Sequence, residues 1–258
     1  MASLLDINSG TKKTIIAMLV IVGIALIYGW NYYHNLNSAY DLRVIKANKS
    51  FKTFSEKFSE HKYDEALDIL DSIEKTYLNV PGYEDSYEMG VVYNNRAAVF
   101  LVQLEDSLLS TDNLKIDQRP VFLKLANKYL VISKEIYLNW LSRMEGLNKE
   151  QIKETIIPYF QPDDPSFKKR NYEKILNSRI TKIEQSQVET LRRLSVVYTN
   201  LGIIERYQGN EEIAGEHYKK AIKLWPYNNV AENNLNVLLG KPIKKNSIIK
   251  QLFPPEKK

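Results

Sequence analysis

The chain has 258 residues, no cysteine, ten glycines, nine prolines and a formal charge of +5, with an isoelectric point near 9.0. Residues 240–258 hold six lysines (241, 244, 245, 250, 257 and 258) against Glu256, residues 1–13 hold Lys12 and Lys13 against Asp6, and the rest balances 28 basic with 29 acidic side chains. The excess charge is thus a tail on a neutral body, which disfavours a basic-face nucleic-acid domain, and the lack of cysteine excludes disulfides, thiolate metal sites and a cysteine nucleophile while leaving the redox compartment open.

Beyond a short tail at 1–13, residues 14–33 run TIIAMLVIVGIALIYGWNYY without a charge. As a helix this stretch is about 30 Å long, the thickness of a bilayer core. Lys12 and Lys13 flank one end; Tyr28, Trp30, Tyr32 and Tyr33 crowd the other, where amphipathic rings prefer the interface. The run is longer than a signal-peptide core, and no small-x-small cleavage pair follows it closely, so the expectation is an uncleaved transmembrane anchor. The lysine pair abuts the span, whereas Arg43 and Lys46 lie further off and Asp41 partly offsets them, which favours a cytoplasmic N-terminus and an exported body. An NKS sequon stands at Asn48, which matters only in a eukaryotic secretory pathway.

Apolar spacing is helical from there on, and nothing alternates as a strand would. Residues 41–60 place Leu42, Ile45, Phe51, Phe54 and Phe58 on a broken stripe, and 63–77 places Ala66, Leu67, Leu70, Ile73 and Tyr77 at three- and four-residue steps. The intervals 83–109 and 118–144 predict two more helices, the second with Asp117 as N-cap and Pro120 in its first turn. Gly146 stops that helix, and Asn148 with Gln151 has the pattern of a capping box for a short helix ending near Pro158. QPDDPSF at 161–167 is a proline-rich loop, and 167–208 lacks Gly and Pro until Gly202, which predicts one extended helix or two with a slight break.

The body also repeats itself. VVYNNRAAVF at 91–100 recurs as VVYTNLGIIE at 196–205, 105 residues later, or about three periods of roughly 34 residues. After the second copy come Tyr198, Leu201 and Gly202, a turn at Gly209, then Ala214, Tyr218, Ala221 and Pro226, with ENNL at 232–235 opening a closing helix. Gly202 and Ala214 are small where paired helices cross closely, Tyr218 and Ala221 pack the neighbouring pair, and Pro226 breaks the chain.

These residues resemble the tetratricopeptide repeat family. The match is strong over 196–239 and partial elsewhere: Tyr63, Ala66 and Leu70 fit a second helix although Ile73 stands where a small residue is usual, and 91–100 fits a first helix with Ala97 in place of glycine. Residues 105–190 do not fit, and Glu205 replaces an aromatic. The resemblance implies an all-α fold in which a transmembrane helix precedes a divergent α-solenoid at 38–239, made of a first repeat region (38–109), a helical insertion (110–186) and the best-matching repeat with its closing helix (187–239), before the basic tail at 240–258. It further implies that Asn94/Asn95, Thr199/Asn200 and Asn233/Asn234, equivalent in register, line a concave groove. An amide both donates and accepts, so such a row can pair with an extended peptide backbone; the alternative is that these residues are partly structural. The carboxylate-clamp variety of the family is not matched, since Asn94, Thr199, Ala98 and Ile203 stand at its positions.

Catalytic signals are lacking. The three histidines, His34, His61 and His217, share no metal-ligand spacing with carboxylates. There is no phosphate loop, dinucleotide fingerprint, nucleophile elbow or HExxH. Asp163 and Asp164 read as a helix start, and Asp64, Glu65, Asp68, Asp71 and Glu74 as a solvated helix face. The tail interleaves lysines with Ile243, Ile248, Ile249, Leu252 and Phe253, a pattern open to membrane-surface docking, peptide docking or a frayed terminus.

The expectation is a single-pass inner-membrane protein, held by 14–33, whose exported body binds other proteins in assembling a bacterial envelope complex, such as a secretion system or a collar-like flagellar-motor accessory. No cofactor, metal, nucleic acid or small-molecule substrate is implied, and self-association stays open. An envelope enzyme or substrate receptor is the alternative.

Overall fold

The computed structural model describes residues 41–108, 112, 116–168 and 171–244. The expected anchor at 14–33, His34 and most of the basic tail lie outside these, and among the described residues no helix is long and apolar enough to cross a membrane. All regular structure described is helical: eight α-helices and two short 3-10 turns, with no strand.

The first two helices form a hairpin. In α1 (Ile45–Ser59) Ala47 and Phe54 face inward, and in α2 (Tyr63–Leu78) Ala66, Leu70, Ile73 and Tyr77 form the apolar stripe that their spacing predicts. His61 makes the turn between them with φ 57°, in the left-handed region. The Tyr77 hydroxyl donates to Asn48 Oδ1 at 2.8 Å, so the sequon asparagine sits half-buried on a helix rather than in an open loop.

A second, longer hairpin follows from α3 (Tyr87–Leu108) and α4 (Arg119–Met144). Gly90 lies under the Tyr137 ring, where a Cβ would collide with ring carbons, and Ser133 Oγ donates to the Gly90 carbonyl at 2.8 Å. Tyr87 meets Trp140 edge-on, and further along Tyr129 stacks between Tyr93 and Phe100, at 6.1 and 5.8 Å. Asp117 is not the N-cap of α4. Gln118 holds that place without a side-chain cap, because a helical turn at 116–117 already precedes it. The acidic face of α2 is solvated at Asp64, Glu65 and Asp71, as expected, but Glu74 is partly covered: Arg96 reaches across from α3 to Asp71 and Glu74, and the Tyr93 hydroxyl donates to Glu74.

After Gly146 (φ 77°), Asn148 and Gln151 close a reciprocal capping box with both bonds at 3.0 Å, starting α5 (Lys149–Ile156). A 3-10 turn follows at Ile157–Tyr159, and a second, at Pro165–Phe167, is started by Asp164, whose carboxylate accepts from the Ser166 amide at 2.8 Å. The long segment is one helix, α6 (Tyr172–Tyr207, 36 residues), capped by Asn171 and about 54 Å long. Its first half buries Ile175, Leu176, Ile180 and Ile183, and its second half Leu194, Val197, Leu201 and Ile204. A left-handed Gly209 (φ 83°) turns the chain into α7 (Glu211–Leu224), and Asn228 caps α8 (Asn229–Leu238).

Contacts follow chain order: α2 on α1, α3 on α2, α4 on α3, α6 on α4, α7 on α6 and α8 on α7, with α5 against α6. Gly202 supports the Tyr218 ring as Gly90 supports Tyr137; an added Cβ would stand 2.5 Å from Tyr218 Cε1. The α3–α4 and α6–α7 hairpins therefore share one device, a glycine that admits a fully buried tyrosine ring at a close helix crossing.

Candidate functional site

Helical geometry turns each residue by about 100°, so on α3 Asn94, Ala98, Leu101 and Glu105 share one face, and on α6 Val196, Asn200, Ile203 and Tyr207 do. Glu105, Ile203, Arg206 and Tyr207 meet Asn234 of α8 around an open cavity of about 370 Å³. The groove is amphipathic, with one acid, one base, an aromatic ring and an amide drawn from three helices.

The six expected binding residues fare differently. Asn234 lines the cavity. Asn94, Asn95 and Asn200 are half-buried on their helices, and the Asn94 Oδ1 atom is buried with no hydrogen-bond partner among the described residues. An acceptor left so costs about 1–3 kcal/mol. Thr199 faces inward instead: it is 2% exposed, donates to Ser195 O at 2.9 Å and accepts from Asn228 Nδ2 at 2.9 Å. Asn228 also donates to Ser195 Oγ at 2.8 Å, and Ser195 donates to Ala221 O at 2.7 Å, so this network ties α6, α7 and α8 together. Asn233 already holds a peptide backbone, since its Oδ1 accepts from Lys244 N at 2.9 Å and its Nδ2 donates to Lys244 O at 3.2 Å.

Among the signature positions, Tyr198, Leu201, Gly202, Ala214, Tyr218 and Ala221 are buried, while Gly209 and Pro226 sit in exposed turns. His217 packs against Tyr198 with the rings tilted and their centroids 5.8 Å apart, and burial lowers the pKa of its imidazole. His61 is exposed, with Nδ1 2.6 Å from the Tyr63 hydroxyl.

Pattern reading missed a buried charge cluster. Arg179 of α6 pairs with Glu88 of α3, both nearly inaccessible, and its guanidinium lies 4.2 Å above the Tyr83 ring. Lys182 stands 3.4 Å from the same carboxylate. Burial would raise the Glu88 carboxyl, but Arg179 and Lys182 outweigh it and hold the group at about 2. Nearby, Tyr83 donates to Asp41 at 3.2 Å, and Asp41 pairs with Arg43, which itself lies over Phe160 and Phe167. The Arg43 charge counted toward membrane orientation is therefore matched within the fold. A cavity of about 310 Å³ opens beside Asp41, Asn48, Ser178, Arg179 and Lys182. Its charges are mutually paired, so the cluster acts as a junction fastening the first half of α6 to α1 and α3. One signal was legible: Arg179 falls on the apolar stripe of Ile175, Ile180 and Ile183, where a solvated charge has no place.

No protein-family model matches the chain, and no curated protein matches it.

Proposed function

We propose that the protein is a membrane-anchored scaffold whose tetratricopeptide-like body captures an extended segment of another protein in the α3–α6–α8 groove. On this reading α1–α2, α3–α4 and the second half of α6 with α7 are three helix pairs of a divergent solenoid. The insertion expected at 110–186 narrows on this reading to α5 with the first half of α6, because α4, inside that range, packs on α3 as a hairpin partner, and α8 closes the array. The anchor at 14–33 holds the body at the inner membrane with its N-terminus in the cytoplasm, and tethering raises the local concentration of the components it assembles. The setting is a bacterial envelope complex such as a secretion system or a collar-like flagellar-motor accessory, inferred from architecture by analogy. No catalytic role is assigned.

The observation that carries the binding reading is the amphipathic cavity at Glu105, Ile203, Arg206, Tyr207 and Asn234. The test is in-cell crosslinking of the full chain followed by mass spectrometry, set against a control protein carrying the anchor alone. Envelope proteins recovered with the full chain and not with the control support the scaffold; equal recovery removes it. Changing Glu105, Arg206 and Asn234, which line the cavity, together to Ala is expected to lower partner recovery at least fivefold. Unchanged recovery would locate binding away from the groove.

A further inference from the structure

The chain enters the described fold at Asp41, which is buried and paired with Arg43. Arg43 fastens this entry to the segment after α5. Its guanidinium donates to Tyr159 O at 2.9 Å, stands 3.4 Å from the Asp164 carboxylate and lies over the Phe160 and Phe167 rings at 4.4 and 4.8 Å. Tyr159 in turn packs on Gly82, where an added Cβ would stand 2.8 Å from the Tyr159 Cβ. Segments distant in sequence, 41–43, 80–84 and 157–164, are thus fastened together as one pole of the body.

That pole leaves apolar groups in the open. Tyr159 is 45% exposed, Ile157 39% and Leu42 37%, and Pro81, Pro158 and Pro162 are exposed beside them. Polar side chains are interspersed, Gln161 and Asp163 on one loop and Glu84 on another. Such a mixture suits the headgroup zone of a bilayer, which takes tyrosine rings and apolar side chains in among polar groups.

We propose that this pole rests on the lipid surface, seating Ile157, Tyr159 and Leu42 in the headgroup region of the leaflet nearest Tyr33. The inference rests on the anchor reading given above and adds a second membrane contact, made by the folded body. Residues 34–40, between the apolar run and Asp41, reach at most about 25 Å, so the pole stays close to the bilayer. The tether also holds a weak interfacial contact at high effective concentration, an advantage that a free partner protein lacks. Charge plays little part, since Lys46 and Lys168 are offset by Glu84 and Asp163. The contact has a consequence for the groove. Arg179 lies 4.2 Å above the Tyr83 ring, whose hydroxyl reaches Asp41, and Ile203 of the groove is about 36 Å further along α6. Docking at the pole therefore holds the groove clear of the lipid.

The cysteine-free sequence allows single labels. The full chain is reconstituted in phosphatidylcholine vesicles that contain a lipid with a nitroxide headgroup. A fluorophore on Ile157→Cys or Leu42→Cys is expected to be quenched at least threefold more than one on Leu108→Cys, an exposed site at the far end of α3. Ile24→Cys, read with a nitroxide on the acyl chain, reports the anchor separately. Quenching at Ile24 with Ile157 and Leu42 no different from Leu108 would overturn the docking and leave the anchor standing; no quenching at Ile24 would overturn both. Adding Ile157→Glu, a change at an exposed side chain, is expected to cut quenching at Leu42 at least twofold with the helical melting curve unmoved. Unchanged quenching there would overturn the contact assigned to these side chains.

Discussion

Changing Gly202 to Ala tests how closely α6 and α7 approach. The glycine is helical without a positive φ, so in isolation alanine would stabilise the helix by about 1 kcal/mol. In the fold, however, the new Cβ would stand 2.5, 2.8 and 3.0 Å from Cε1, Cδ1 and Cζ of Tyr218. That ring is fully buried and flanked along α7 by the equally buried Ala214 and Ala221, so it cannot swing aside without opening the interface. Overpacking of this kind costs about 1–3 kcal/mol. The net expectation is a loss of up to about 2 kcal/mol, which for a body of this size lowers Tm by up to roughly 4–8 °C. The assay is thermal melting of the full chain followed by helical circular dichroism. Gly215→Ala on α7 is the internal control, because nothing lies within 4 Å of its added Cβ; it is expected to gain up to about 1 kcal/mol. In a Tyr218→Leu background, Gly202→Ala is expected to lose most of its cost, a coupling that a double-mutant cycle reads directly. If Gly202→Ala raised Tm as Gly215→Ala does, the close crossing would be refuted, and with it the device shared with Gly90 and Tyr137.

Three further outcomes follow from the buried polar groups. Arg179→Met leaves the buried Glu88 carboxylate with the half-exposed Lys182 as its cation and is expected to cost about 3–5 kcal/mol in chemical denaturation. Because the Glu88 pKa is depressed from its ordinary 4.5 to about 2, its stabilisation is complete above pH 4.5 and is lost as pH falls through that interval; Glu88→Gln is expected to flatten the stability-versus-pH curve there, and an unchanged curve would place the acid response elsewhere. Asn228→Ala removes the α8 cap and both bonds to Ser195 and Thr199, with an expected loss of about 2 kcal/mol and faster amide exchange confined to α8 and the end of α7.

Short-range chemistry explains which features were legible in the sequence. Asn148 with Gln151 marked a helix start because both capping bonds close within four residues, and the apolar stripe of α2 was readable because a helix repeats on the same face every three to four residues. Gly202 and Ala214 announced a close helix pair through their size, whereas Tyr218, expected to pack the neighbouring pair, lies over Gly202 of its own pair, because the missing Cβ opens room for the ring there. Asp117 misled because a cap depends on where the preceding turn begins, and a polar residue before proline does not determine that.

The sequence by itself determined an all-helical body, its element boundaries within a few residues, and the places where helices come close. Only the tertiary structure decided which polar side chains face a groove and which serve the interior. Glu88 and Arg179 stand 91 residues apart in the chain and meet because α3 and α6 pack with a particular rotation about their axes. The same rotation turns Thr199 inward to Asn228 while Asn234, from an equivalent-looking pair, reaches the cavity beside Glu105 and Arg206. Local hydrogen bonds and periodicity specify a helix, but its rotation about its own axis is set by all the side chains packed against it, and no single segment carries that information.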